Sequence, residues 1–155
     1  MIQRIQSVYL FLAATAVAVM FFFPIANFYS DLYYFYLKLG GISDETFLSI
    51  NTIPLIAMAV IIIVLIVFSI FIYKNRLLQA RMIRFGILID ISFIIVLYFG
   101  YIDNIIKSFK NEGTMIDVEY KAGIYFPLIV LILLVLAMRG VLNDEKKVRA
   151  ADRLR

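Results

Sequence analysis

Few residues of this sequence could carry out chemistry, and Asp90 is the most conspicuous of them. It is the one charged residue in the long apolar stretch between Arg84 and Asp103. In a membrane helix a carboxylate costs about 3 kcal/mol on insertion scales, and such residues mark ion pathways or buried ion pairs. Asp90 lies six residues after Arg84, about 9 Å along a helix axis. That depth suits an intramembrane ion pair with Arg139, and the alternative is an ion pathway.

A further candidate is the pair of carboxylates Asp117 and Glu119. Their spacing places both on one face of a strand, where they could hold a metal. The sequence contains no His and no Cys. It therefore lacks the usual zinc and haem ligands, a thiol nucleophile and a catalytic triad. Its seven glycines form no phosphate-binding loop. We expect no enzyme, no catalytic or metal site and no cofactor.

The composition identifies the elements that must position these residues. Of the 155 residues, 64% are hydrophobic and 17% are charged, against about 45–50% and about 25% in a soluble domain. This charged fraction is too small to cover the apolar surface of a soluble protein of this size. The high hydrophobic content also excludes a disordered chain. The chain is predicted to be a single all-α membrane domain.

Four apolar runs are long enough to cross a bilayer, which takes about 20 residues each. We predict a bundle of four transmembrane helices. The predicted segments are spans at about 5–28, 48–73, 84–102 and 122–142, outward loops at 29–47 and 103–121, a cytoplasmic loop at 74–83 and a basic tail at 143–155.

The distribution of Lys and Arg over short loops predicts the orientation. Four basic residues fall in the two loops predicted to face outward, at positions 38, 107, 110 and 121. The other eleven fall at the N-terminus, in the middle loop and in the tail, at positions 4, 74, 76, 81, 84, 139, 146, 147, 149, 153 and 155. Both termini are therefore expected to be cytoplasmic.

The outward loops contain two segments typical of short strands. One is the aromatic run from Tyr33 to Tyr36. In the other, Ile116, Val118 and Tyr120 alternate with charged residues, a period of two. One interpretation is that the two segments pair in a small two-strand element whose second strand offers a docking edge to a partner. The alternative is an aromatic segment at the membrane interface and a solvated loop, with no sheet.

The basic residues near the predicted cytoplasmic surface are candidates for contacts with lipid headgroups or with a protein partner. A docking surface for RNA is the sharper alternative, but the tail lacks stacking aromatics and nucleic acid is not expected. The candidate contact residues are Lys74, Arg76, Arg81, Arg84, Arg149, Arg153 and Arg155.

Several short motifs together resemble a family of small bacterial inner-membrane proteins with four spans, grouped as a domain of unknown function. The motifs are Met1-Ile2-Gln3-Arg4-Ile5-Gln6, Tyr73-Lys74-Asn75-Arg76 with Gln79, Phe126-Pro127, Asp144-Glu145-Lys146, Val148-Arg149 and Asp152-Arg153-Leu154-Arg155. The resemblance covers the whole chain and implies the bacterial cytoplasmic membrane. It implies no activity, cofactor or site.

Two function hypotheses follow. The first is a non-enzymatic accessory subunit of a larger inner-membrane complex, in protein export, insertion or envelope assembly, whose partners are membrane lipids and other integral membrane proteins. It rests on the missing catalytic residues, the basic cytoplasmic face and the aromatic outward loops. The alternative is a small oligomeric transporter or ion-coupled channel that uses Asp90. No small-molecule substrate is indicated by the sequence.

Overall fold

A computed structural model describes residues 5–30, 34–42, 50–73, 75–111 and 115–153, without the side chains of residues 147, 149 and 151–153. The helices are α1 (Ile5–Met20), α2 (Ile53–Phe71), α3 (Arg76–Ile95), α4 (Asp103–Asn111) and α5 (Phe126–Arg153). A π-helical segment, Val96–Ile102, connects α3 to α4, and a 3₁₀ turn, Ala122–Tyr125, precedes α5. The strands are β1 (Ala26–Tyr29), β2 (Tyr34–Lys38), β3 (Gly41–Ile42) and β4 (Asp117–Tyr120).

Three helical segments of the described chain are long and apolar enough to cross a membrane. They are Ile53–Phe71, Arg76–Asn111 and Ala122–Lys146. The helix α1 is apolar as well but has only 16 residues. These lengths and compositions suggest a membrane protein.

Four helices pack in a ring, with α1 against α2 and α5, and α3 against α2 and α5. On each of these helices the buried positions, apart from Ala80 on α3, recur at alternating intervals of four and three residues, the spacing of a left-handed helix bundle. They are Gln6, Leu10, Ala13, Val17 and Met20 on α1; Leu55, Ala59, Ile62, Ile66 and Ser69 on α2; Gln79, Ile83, Gly86, Asp90 and Phe93 on α3; and Pro127, Val130, Leu134, Ala137 and Val141 on α5.

The first helix is shorter than predicted, because the chain leaves it at Met20 and forms β1 inside the segment predicted as the first span. Pro24 accounts for the change, since it has no N–H to donate and it disfavours helical backbone in the residue before it. The Ile25 N–H donates to the Leu37 carbonyl at 2.8 Å instead. The prediction of a helix through residue 28 is therefore corrected.

In the described residues the sheet has four strands rather than two, in the order β3-β2-β1-β4, and their pairings are antiparallel. Both predicted strand segments are present as β2 and β4. They do not pair with each other, because β1 lies between them and hydrogen-bonds to both. The register is fixed by pairs such as Phe28 with Phe35 and Phe28 with Val118.

One face of the sheet is apolar and packs on the helices. Phe28 and Phe35 stack at a centroid distance of 5.1 Å, and Phe35 also stacks on Phe109 of α4 at 5.7 Å. At the edge, the ring of Tyr120 lies 6.3 Å from that of Tyr98 in the π-helical segment. These aromatic contacts fix the sheet against α4 and the end of α3.

The third helical segment begins earlier than predicted. Asn75 caps α3, where its side chain accepts a hydrogen bond from the Leu78 N–H at 3.2 Å, as an asparagine at this position commonly does. Most of the segment predicted as the middle loop (74–83) is therefore helical. The predicted outward loop 103–121 likewise contains α4 and β4.

Candidate functional site: a buried carboxyl and an open sheet edge

Asp90 lies inside the helix bundle and is only 1% exposed. Its Oδ2 finds no hydrogen-bond partner in the ranges given above. The carboxyl group faces a cavity of about 10 Å³ whose lining includes Val17, Ala59 and Val130. One water molecule needs about 10–15 Å³ of such space. The cavity therefore has room for a proton donor or acceptor the size of water, and no room for an organic substrate.

Asp90 lies deeper along its helix than the sequence indicated. The helix begins at Arg76, fourteen residues earlier, which places Asp90 about 21 Å from the start of α3 at 1.5 Å per residue. The cavity beside it is also lined by Met20, the last residue of α1, and by Pro127 near the start of α5. Asp90 thus lies toward the end of the bundle that carries the sheet.

The expected ion pair between Asp90 and Arg139 is not formed in the structure. Arg139 is exposed, and it lies nine residues beyond Val130, about 14 Å further along α5. Ion pairs do form elsewhere, between Lys107 and Asp103 and between Lys121 and Glu119. Within the part of the chain that the structure describes, Asp90 is therefore a buried carboxyl group without a cation beside it, which is an unusual group to retain in an apolar core.

Two further polar side chains, Gln6 and Gln79, lie in the bundle core. Gln79 is fully buried, and its Nε2 donates to the Ser69 carbonyl at 3.0 Å, whereas its Oε1 has no partner. Gln6 is 2% exposed, and neither its Oε1 nor its Nε2 has a hydrogen-bond partner among the described residues. The core therefore holds three unsatisfied amide atoms in addition to the Asp90 oxygen.

Gln6 and Gln79 lie at the same height in the bundle, away from Asp90. Gln79 precedes Asp90 by eleven residues on α3, and Gln6 precedes Val17, which lines the Asp90 cavity, by eleven residues on α1. The separation is about 16 Å along the axis. The buried positions between them are apolar, so the described residues form no continuous polar path from the glutamines to Asp90.

The burial of Gln6 and Gln79 was not predicted, although the sequence contains a signal for it. Gln79 and Asp90 lie on one stripe of α3 with spacings of four and three residues, through Ile83 and Gly86. A polar residue in register with an intramembrane carboxylate is expected to face the same core. The same spacing on α1, through Leu10 and Ala13, places Gln6 on the face of that helix that points into the core.

The basic residues predicted to contact partners or lipids have different environments. Arg76 is half-buried, and its Nη1 donates to the Asp144 carbonyl at 2.8 Å, which connects the start of α3 to α5. Arg81 and Arg84 are exposed and line a groove together with two apolar residues of α3. Lys74 and Arg155 lie outside the described residues, and the side chains of Arg149 and Arg153 lie outside the description.

The predicted docking strand, β4, is an edge strand of the sheet. The Lys121 N–H donates to the Ile25 carbonyl at 3.0 Å, and this bond fixes the alternation of the antiparallel ladder. Asp117 and Glu119 consequently direct their backbone groups to β1. The N–H and C=O groups of Val118 point to the other edge, where the described chain places no strand.

The side chains of the predicted docking strand differ in their surroundings. Ile116 and Val118 pack against the hydrophobic core, and Tyr120 is half exposed beside Tyr98. The backbone of β4, rather than the Ile116–Tyr120 apolar side chains, is therefore the group open to a partner. It is available for strand addition.

The carboxylates of Asp117 and Glu119 lie on the opposite face, and Glu119 forms an ion pair with Lys121 at 2.7 Å. Nowhere in the ranges that the structure describes do three or more acidic residues gather in a group that could hold a metal ion. A pair of exposed carboxylates, one of them neutralised by lysine, is a weak metal site.

No curated protein and no solved structure shows a significant match to the chain. The family described as Domain of unknown function (DUF4293) matches residues 2–154. This match confirms the resemblance to a domain of unknown function that the terminal motifs indicated. The chain therefore belongs to the DUF4293 family.

Proposed function

We propose that the chain is a four-span protein of the bacterial cytoplasmic membrane with both termini in the cytoplasm. The bundle supports four spans, because α1 packs along α2 and α5 as a full member. Its 16 residues cover about 24 Å, and the apolar residues Phe21–Phe23 extend it toward the membrane thickness of about 30 Å. The asymmetry of the Lys and Arg residues supports the orientation.

Within that membrane the chain acts as a non-enzymatic subunit of a larger complex, in a process such as protein export, insertion or envelope assembly. The observation that carries this proposal is the open edge of β4 at the end of the bundle. Strand addition to such an edge gives affinity through backbone hydrogen bonds. The opposite edge of the sheet is much less suitable, because β3 has two residues and one of them, Gly41, has a φ of 140°.

The binding surface combines this edge with exposed apolar groups. Tyr120 is 48% exposed and Met115 is 94% exposed, and both flank the open backbone of Val118. Large exposed apolar side chains beside an unpaired strand edge are typical of a protein interface. We therefore expect an integral membrane partner that presents an extended segment beside β4, on the outward side of the membrane.

Substitution of Val118 by proline tests the proposal. The Val118 N–H points to the open edge, so proline removes a donor for the partner without removing a bond of the sheet. We expect the tagged wild-type chain, purified in mild detergent at native expression, to retain a stoichiometric companion in mass spectrometry. The Val118→Pro variant should lose that companion, whereas Val118→Ala, which also loses packing against the core but keeps the N–H donor, should retain it.

Glu119→Gln is the matched control, because it changes a neighbouring side chain on the opposite face and leaves the backbone donors in place. It should retain the companion. A wild-type chain that purifies alone, or a companion that survives Val118→Pro, would refute docking at β4. Loss of the companion in Glu119→Gln as well would assign the contact to the charged face instead.

A small oligomeric transporter or ion-coupled channel is the second candidate. The observation that favours it is the unpaired Oδ2 of Asp90 beside a cavity of about 10 Å³. A carboxyl group in that position suits proton binding better than passage of a larger ion, because the space is so small. Asp90→Asn in sealed vesicles is the test: proton flux that is unchanged by the substitution excludes this function.

A further inference from the structure

Two arginines and an apolar groove share one exposed face of α3. Arg81 and Arg84 are three residues apart, and with Phe85 and Leu88 they line a groove of about 260 Å³. Residues three and four apart on a helix are surface neighbours. The four side chains therefore form one continuous strip with two cations at one end and two apolar groups at the other.

The cations of this strip are not used by the protein itself in the described structure. Arg76, one turn earlier, is bound to the Asp144 carbonyl, whereas the described residues provide Arg81 and Arg84 with neither an ion pair nor a side-chain hydrogen bond. None of the described residues that line the groove is acidic. Two adjacent guanidinium groups without a carboxylate are suited to a phosphate, which each can bind in a bidentate manner.

The apolar end of the strip lies on the membrane side of the two arginines. Phe85 and Leu88 are each 56% exposed, and they lie further along α3 toward its apolar stretch. In the proposed membrane placement this direction leads from the surface into the hydrocarbon region. A phospholipid whose phosphate is bound at Arg81 and Arg84 would thus have its acyl chain directly over Phe85 and Leu88.

We propose that Arg81 and Arg84 bind the phosphate of an anionic phospholipid whose acyl chain lies in the groove along Phe85 and Leu88. Basic sites at the cytoplasmic surface of membrane helices recognise anionic head groups in this way. A free phosphate would leave the apolar half of the groove unused. The proposal rests on the membrane placement given above, and it does not depend on a protein partner at β4.

Native mass spectrometry of the full chain in mild detergent tests the proposal. Phosphatidylglycerol is titrated against phosphatidylcholine with the same acyl chains, and the wild type should bind phosphatidylglycerol preferentially. The double variant Arg81→Gln with Arg84→Gln should weaken phosphatidylglycerol binding about 30-fold, from the usual contribution of two basic residues near a membrane surface. Inorganic phosphate at millimolar concentration should not compete.

Arg139→Gln is the matched control, because Arg139 is an exposed arginine that does not line the groove. It should leave the lipid preference unchanged. The pair Arg81→Lys with Arg84→Lys keeps both charges and should restore part of the preference, which separates binding from misfolding. Leu88→Trp fills the apolar end and should weaken the binding of both lipids.

Equal binding of the two phospholipids to the wild type, or a preference that survives the double glutamine variant, overturns the proposal. An equal loss of phosphatidylglycerol binding in Arg139→Gln would attribute the lipid preference to overall charge and overturn the proposal. Displacement of phosphatidylglycerol by inorganic phosphate would also overturn it and would identify a site for a free anion. Carbonate extraction of membranes distinguishes a failure of the membrane placement from a failure of the lipid-binding proposal. Release of the chain refutes the membrane placement, whereas a retained chain without lipid preference refutes this inference alone.

Discussion

The Gly123 backbone lies against Pro24, so that a Cβ atom on Gly123 would come within 2.5 Å of the Pro24 carbonyl oxygen. The same two residues share a hydrogen bond, in which the Gly123 N–H donates to that oxygen at 2.9 Å. This contact joins the chain leaving α1 to the turn that enters α5. It holds the start of β1 and the end of β4 at one place above the bundle.

Gly123→Ala is therefore expected to destabilise the protein by about 2–3 kcal/mol, because the new methyl group meets backbone atoms that cannot rotate away. For a chain of this size the melting temperature in detergent should fall by about 4–12 °C. Gly40→Ala is the control, since a Cβ there meets nothing within 4 Å. Equal melting temperatures for the two variants would contradict the close approach.

The two buried glutamines should respond oppositely to replacement by methionine, a side chain of similar volume. Gln79→Met should destabilise the protein by about 1 kcal/mol, because the Ser69 carbonyl at the end of α2 loses its donor. Gln6→Met should stabilise it by about the same amount, because it removes two polar atoms that have no partner. Thermal unfolding of the two variants in the same detergent measures both effects.

A loss of stability in Gln6→Met comparable to that in Gln79→Met would show that Gln6 has partners in the membrane. The comparison is well matched, because both residues lie in the same layer of the bundle and both substitutions remove one amide group.

Asp90→Asn should change the stability by less than about 1 kcal/mol, because the substitution keeps the shape of the side chain and Asp90 has no cation beside it. Breaking a buried ion pair costs about 3–5 kcal/mol, so the structural ion pair expected from the sequence predicts a much larger loss. The melting temperatures of Asp90→Asn and Arg139→Gln decide between them. A large and equal decrease in the melting temperature of both variants would support the ion pair between Asp90 and Arg139.

Arg76→Gln should loosen the second half of α5, because the shorter side chain cannot reach the Asp144 carbonyl. A hydrogen bond from a charged donor is worth about 1.5–3 kcal/mol, so backbone amides near Asp144 should exchange their hydrogens at least about tenfold faster. Hydrogen exchange followed by mass spectrometry measures this. Arg81→Gln is the control, and unchanged exchange in both variants would show that the contact is not stabilising.

The apolar helices were predictable because composition and length alone suffice to identify them. The strand β4 was predictable because Ile116, Val118 and Tyr120 alternate with charged residues. The strand β1 was missed because Ala26–Tyr29 continues an uncharged apolar run without such alternation. Pro24 was the available signal, and its effect on the helix was underestimated.

The depth of Asp90 was misjudged for a different reason. Its position was counted from Arg84, the last charge before the apolar stretch, whereas the helix begins at Arg76. A charged residue close to an apolar stretch marks a change in composition and not the end of a helix. The inner faces of the helices were equally hard to predict, since in an apolar helix the inward and outward positions both carry Ile, Leu and Val; only residues such as Gly86 and Gln79 distinguish them.

The position of β1 in the sheet constrains the order in which the protein is made. One edge of β1 pairs with β2, which follows it closely in the chain, while its other edge pairs with β4, where Ala26 meets Tyr120. Two long helices must be synthesised between these partners. Until β4 emerges from the ribosome, β1 carries an unpaired edge that can join the wrong strand. Closure of the sheet is therefore a late event in biogenesis, and it depends on nearly the whole chain.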